Sequence, residues 1–262
     1  MAPGDQLLGQ AARDERRLRR EVVRQDADPH VHAPGAACRT GARRGAYDSG
    51  NPSASGRDSR KNAVAALCAA TVPTRGVQMV DEVLFVCHAN MCRSPMAEFI
   101  ARRMLAGLPL AVASAGTDAI DGAAMHPYAV EVAARTGADP AAFRTRRLRP
   151  EHLTGAALVL TATRRQRSAC TAMAPATLAR TFTLRQFARL ATEARADEAE
   201  AGTPLRAAVS AAVRARGRLQ PAAPDVDDLR DPIGGSPADF RRCAEEIERS
   251  IRPVLALIAT AG

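Results

Sequence analysis

The chain has 262 residues, enough for one substantial domain with further segments, and a formal net charge of +9. Arginine supplies almost all of the basic residues, with Lys61 the one lysine, and only 3% of residues are aromatic. That balance suits an acidic or phosphate-bearing partner, or a solvated arginine-rich surface, and it excludes an aromatic stacking platform for single-stranded nucleic acid.

Cys38, Cys68, Cys87, Cys92, Cys170 and Cys243 are too few for a disulfide scaffold. They fit a reducing, cytoplasmic setting, where a clustered pair is more often chemical than structural. No stretch reaches the length of a membrane span.

Residues 1–78 carry Tyr47 as their one aromatic and few Leu, Ile, Val or Phe. With so little apolar surface to offset ordering entropy, they are expected to form a disordered extension. "AVAALCAATV", residues 63–72, follows Arg60 and Lys61 and resembles the apolar core of a signal peptide, but lies far from Met1. A translation start at Met79 would place residues 1–78 outside the natural protein, and the folded domain is expected over 79–262.

From Met79 the pattern changes. "EVLFVC" (Glu82 to Cys87) is a continuous apolar run, the mark of a strand buried on both faces. "SPMAEFIARRML" predicts a helix, with Ser94 as its cap, Pro95 in its first turn and Met96, Ile100 and Met104 on one face. "LAVASAG" (Leu110 to Gly116) reads as a strand, and "HPYAVEVAARTG" (His126 to Gly137) as a helix stopped by glycine. "GAALVLTAT" (Gly155 to Thr163) is a third strand, with a basic helix from about Arg164. "RTFTLRQFARL" (Arg180 to Leu190) begins as a short strand and turns helical. Residues 193–222 are alanine-rich and charged without a compelling face, and read as a partly helical insertion. "DVDDLRDPIGGS" (Asp225 to Ser236) is an acidic loop. The last helix has Ser236 and Asp239 spaced as a capping box and a stripe of Phe240, Cys243, Ile247, Ile251, Val254 and Ile258. Strands alternating with helices predict an α/β fold: an open, largely parallel four-stranded sheet with helices on both faces and ligands at the carboxyl ends of its strands.

"CHANMCRS" sits at such an end. Its C-x5-R spacing lets a short loop curl its backbone N–H groups inward, with the next helix N-terminus adding positive potential. The field that holds an anion also favours a thiolate at Cys87. Arg93 offers a planar fork to two phosphoryl oxygens. Ser94 can donate to the sulfur, and Asn90 suits a left-handed backbone. The types suit phosphoryl transfer to sulfur. Cys87, His88 and Cys92 could also ligate a metal, but no second Cys/His group has the spacing to complete a site.

"VLFVCHANMCRSPMAEF" resembles the phosphate-binding loop of the low-molecular-weight protein tyrosine phosphatase family. The likeness continues through "SAGT" (Ser114 to Thr117), "FRTRRL" (Phe143 to Leu148), "LVLTAT" and "DPIGGS", and covers about Val80 to Ile258. It implies a phosphatase that hydrolyses phosphotyrosine in a protein or peptide through a cysteinyl-phosphate. It needs no cofactor or metal, no specific nucleic acid and no membrane span. By position, Cys87 would be the nucleophile, Arg93 the clamp and Asp231, before Pro232, the general acid, with Asp225, Asp227 and Asp228 as nearby chemical alternatives in a solvated acidic loop. His88, Ala89, Asn90, Met91, Cys92, Arg93 and Ser94 would form the phosphate-binding loop. Cys92 matches the cysteine that forms a reversible disulfide with the oxidised nucleophile.

The sequence departs from the family's pattern where Ala89 replaces the loop glycine and where Ile233 and Gly234 stand in place of aromatics after Asp-Pro. Phosphoarginine phosphatases of the family share a "DP-x-GGS" loop like this one, whereas Met91 is apolar as in tyrosine-directed members. Thioredoxin-linked arsenate reductases carry extra cysteines after the third strand, where Cys170 stands without a partner. From another class, the charge admits a non-catalytic phosphate- or nucleic-acid-binding module.

Overall fold

The computed structural model describes residues 80–194, 202–220 and 222–261. The expectations for residues 1–78, and for part of the alanine-rich insertion, lie outside the described residues.

The strands are β1 (Asp81–Cys87), β2 (Leu110–Gly116), β3 (Leu158–Thr161) and β4 (Thr181–Thr183), all parallel in the order β2-β1-β3-β4. Asp81 pairs with Leu110 and Cys87 with Gly116, and Val86 stands opposite Thr161. The chain runs from β1 to β2 on one side, then crosses to place β3 on the other. The sheet therefore switches direction beside β1, and a crevice opens at the carboxyl end of that strand.

The helices are α1 (Arg93–Met104), α2 (Pro127–Ala134), α3 (Pro150–Gly155), α4 (Arg164–Met173), α5 (Leu184–Glu193), α6 (Pro204–Arg216), the single turn α7 (Pro224–Asp227) and α8 (Pro237–Thr260). They cover both faces, because alternate residues of β1 point opposite ways. Val83 and Phe85 join a core with Met96, Ile100, Phe182, Phe187, Phe240 and Ile247, drawn from α1, β4, α5 and α8. Leu84 and Val86 join a smaller core with Leu153 of α3 and Cys170 of α4. Phe182, Phe187 and Phe240 are fully buried, each contributing about 1.5–3 kcal/mol of transfer free energy.

Most expected elements are present. β2, the start of α4, and the passage from β4 into α5 fall where the pattern placed them, and β3 is shorter than its apolar run. The stripe of α8 is buried throughout. Two readings change. Ser94 is no cap: α1 begins at Arg93, with Cys92 at its N-cap and no side-chain cap bond. Alanine-rich α6 does have a buried face, of Leu205, Ala208, Val209, Ala211, Ala212 and Ala215. Arg206 holds it to the sheet by reaching Asp81 Oδ1 through Nε at 3.0 Å and Nη2 at 2.8 Å, and Thr203 also bonds that carboxylate.

Candidate active site

Cys87 ends β1, and the five residues 88–92 return the chain to α1 at Arg93. The loop lies tightly against the end of β2. A Cβ on Gly116 would meet the His88 carbonyl oxygen at 2.4 Å and the Asn90 nitrogen at 2.7 Å, so only glycine allows this approach. Thr117 and Asp118 donate their N–H groups to the carbonyls of Cys87 and His88, each at 3.0 Å. Asn90 takes the left-handed turn with φ 54°, and it is the one non-glycine residue with positive φ among the described residues. Ala89 therefore replaces glycine without strain in φ.

A chain of buried hydrogen bonds leads from the sulfur into the core. Cys87 Sγ lies 3.0 Å from Ser94 Oγ. Asn90 Nδ2 donates to that hydroxyl at 2.9 Å and to Ser114 Oγ at 2.8 Å. Ser94's own proton is thus left for the sulfur or for the Ala115 carbonyl at 3.3 Å. Ser114 donates on to Glu98 Oε2 at 2.5 Å, and Asn90 Oδ1 accepts from the Arg146 N–H at 2.9 Å. A satisfied network of this kind fixes the loop's geometry. Burial pushes the Glu98 carboxyl above its ordinary range, against the opposing bond from Ser114 and the charge of Arg102.

Arg93 is 6% exposed. Its Nη1 donates to the Leu229 carbonyl at 3.2 Å, its Nη2 holds the Asp231 carboxylate, and its Nε is buried without a partner. The structure thus brings Cys87, Asn90, Arg93 and Ser94 together, with Asp231 beside the arginine although it is 138 residues away in sequence. The other loop acids are not simply solvated. Asp227 is buried between Arg164 and Arg189, while Asp228 Oδ1 accepts the first N–H of α4 from Arg164 at 2.8 Å. Asp225 is exposed.

Cys92 is buried, and that burial pushes its thiol well above the ordinary value, with Asp231 and Cys87 adding to the effect and Arg93 opposing it. Cys243 of α8 is likewise pushed up to about 12, first by burial. Met91 is half-buried against the larger core. His88 Nδ1 lies 2.9 Å from Asp118 Oδ2, with both side chains partly exposed. A hollow of about 520 Å³ between the acidic loop and α8 is bordered by Asp231, Ile233, Asp239 and Cys243, and neither Cys87 nor Arg93 lines it.

Sequence reasoning missed Ser114, Glu98, Arg146 and Asp118 as partners of the loop. Ser114 and Arg146 lie inside the quoted runs "SAGT" and "FRTRRL", which is the signal that could have marked them. Among the described residues no helix is long and apolar enough to cross a membrane.

A parallel α/β sheet with a cysteine-arginine loop at its switch point is the frame of a phosphate-handling protein. The model of the low molecular weight phosphotyrosine protein phosphatase family matches residues 82–210. A protein-arginine-phosphatase of Geobacillus stearothermophilus is 37% identical over 110 residues, which covers 42% of this chain and 72% of that protein. The chain belongs to the low molecular weight phosphotyrosine protein phosphatase family. EpsP of Ralstonia nicotianae, a probable low molecular weight protein-tyrosine-phosphatase, is 40% identical over 82 residues, 31% of this chain. That match spans 55%, about half, of the relative's length. Among solved structures, the YwlE arginine phosphatase of Geobacillus stearothermophilus superposes with a TM-score of 0.50 at 27% identity, over 69% of this chain and 94% of that one.

Proposed function

We propose that the protein is a cysteine-dependent phosphatase acting on a phosphorylated protein or peptide. Cys87 Sγ attacks phosphorus as Asp231 gives its proton to the departing atom, leaving a cysteinyl-phosphate. Asp231, now a carboxylate, takes a proton from water as the water oxygen attacks phosphorus and the sulfur leaves. Ser94 stabilises the sulfur in both steps through its hydroxyl. Residues His88 to Ser94 cradle the phosphoryl oxygens, and Arg93 turns its fork to two of them.

The observation that carries this reading is Arg93 itself. An arginine 6% exposed, with a buried Nε that has no partner, is suited to clamp an anion with an unspent donor. The Asp231 carboxylate now rests on it, so an incoming phosphate takes the place of an acid already beside the reacting centre.

Phosphotyrosine is the first substrate reading, supported by family membership and by apolar Met91 in the loop. Phosphoarginine is the second. It is supported by the acid loop, where Ile233 and Gly234 offer no ring for stacking, and by the longer match to an arginine phosphatase. Turnover of sequence-matched phosphotyrosine and phosphoarginine peptides decides between them. Hydrolysis of either that is lost in Cys87→Ser, with retained binding of inorganic phosphate, is the expected result. Phosphate binding with no turnover in the unaltered protein would leave a binding module instead.

A further inference from the structure

We infer that Asp227 is a positioning residue for Asp231, fixing the acid loop through two arginines. The inference rests on Asp231 acting as the acid. Asp227 is 2% exposed and four residues before Asp231. Its Oδ1 accepts from Arg189 Nε at 3.2 Å and Nη2 at 2.8 Å, and its Oδ2 accepts from Arg164 Nη2 at 3.1 Å. Those arginines stand on different helices, α5 and α4, and both helices pack on the sheet.

The same guanidinium of Arg164 also donates to the carbonyls of Ala222 at 2.5 Å and Ala223 at 3.2 Å. From α5, Arg185 reaches the carbonyls of Asp228 at 3.0 Å and Asp225 at 3.4 Å, and pairs with Glu246 of α8 at 2.9 Å. Arginines thus sew the approach to Asp231 onto the scaffold from two sides. Asp227 is the buried charge on which two of them converge. Remove it and both guanidinium groups lose their common anion, so the approach is free to shift.

Beyond Asp227 the chain is short and already tied. The Leu229 N–H bonds the Ala162 carbonyl at 2.8 Å, and the Leu229 carbonyl accepts from Arg93 at 3.2 Å. Only Asp228 separates Asp227 from Leu229, so a shift at Asp227 strains those two bonds and with them the carbonyl that Arg93 holds beside Asp231. A misplacement of about 1 Å at a catalytic group costs roughly a hundredfold in rate.

The test is Asp227→Asn, which keeps shape and removes charge, measured on aryl phosphates from phenyl phosphate to esters of very acidic phenols. The expected result is a kcat for phenyl phosphate lower by roughly ten- to a hundredfold, with little change for the most acidic phenol, which departs without a proton. In an Asp231→Asn background the second change adds no further loss. An equal loss across the series, or a full additional loss in that background, makes Asp227 a folding residue and overturns the inference. If Asp227→Asn does not fold, Arg189→Gln takes its place: it removes one of the two arginines, and an unaltered leaving-group dependence in that variant overturns the inference equally. An unaltered dependence in Asp231→Asn alone removes the acid assignment itself, a distinct result read from a distinct protein.

Discussion

Arg93 aims its donors in three directions, and only a planar fork can do so. Nη1 is turned to a carbonyl, Nη2 to Asp231, and Nε is buried without a partner. Lysine would keep the charge and lose the fork. Arg93→Lys is therefore expected to lose about a hundredfold or more in kcat, close to Arg93→Ala. Steady-state rates on p-nitrophenyl phosphate measure this, and a near-normal lysine variant would reduce Arg93 to a point charge. Cys92 is the second residue whose surroundings define a test. Burial holds it as a thiol near neutral pH, in the loop that follows Cys87. We propose that peroxide oxidises Cys87 to a sulfenic acid and that the Cys92 sulfur then displaces its oxygen as water to form a disulfide. Activity after mild peroxide should return with dithiothreitol in the unaltered protein and return far less in Cys92→Ser. Because burial raises the Cys92 value well above its ordinary one, its thiolate fraction does not level off between about pH 7 and about pH 9, and disulfide formation should keep quickening across that window. Equal recovery in both proteins would remove Cys92 from the chemistry.

Helix α8 shows what one turn of sequence can specify. Ser236 gives both its N–H and its hydroxyl to Asp239 Oδ2, each at 2.7 Å. Those bonds, first the hydroxyl and then the N–H, lower the Asp239 carboxyl to about 2. A depressed carboxylate stabilises the fold fully above its unfolded value near 4, and that contribution is lost as pH falls toward about 2. Asp239→Ala should therefore lower the urea midpoint at about pH 6, and the gap should narrow between about pH 4 and about pH 2. A gap independent of pH would mean the carboxylate is not what caps α8. This cap was legible because Ser236 and Asp239 lie three residues apart. So was the loop, since Cys87, Asn90, Arg93 and Ser94 fall within eight residues and their types announce their chemistry. Helix α6 was not legible: alanine serves both surface and core, so its buried stripe makes no apolar period. The partners of Asp227 were equally hidden, because Arg189 and Arg164 stand 38 and 63 residues away and nothing local to the loop names them. Ser94 was misread only as a cap, because Ser-Pro before an apolar run is a common helix start; the reading of its hydroxyl as a donor to the sulfur fits its 3.0 Å approach to Cys87.

For the molecule as a whole, the question is where the folded domain begins, and Asp81 gives it a physical edge. We propose that residues 79–262 are the domain. Every residue placed in the site lies between Cys87 and Asp231, and the first described strand opens at Asp81. Asp81 is 6% exposed, and it joins the first residue of β1 to Arg206 and Thr203 of the distant α6 region. A chain beginning at Met79 keeps that junction, so it should match the full chain in kcat and in thermal unfolding. Asp81→Ala in the full chain breaks it. The carboxylate is buried but Arg206 is largely exposed, so the loss should be modest, about 2 kcal/mol by urea unfolding. The two proteins test different things. A failure of the Met79 chain would place the boundary upstream and give residues 1–78 a part in the fold. An unchanged Asp81→Ala would mean that α6 is held by its alanine face alone. The expected pair, an intact Met79 chain and a weakened Asp81→Ala, makes β1 and α6 a single unit around the loop of Cys87, with the insertion as much a part of the domain as the sheet.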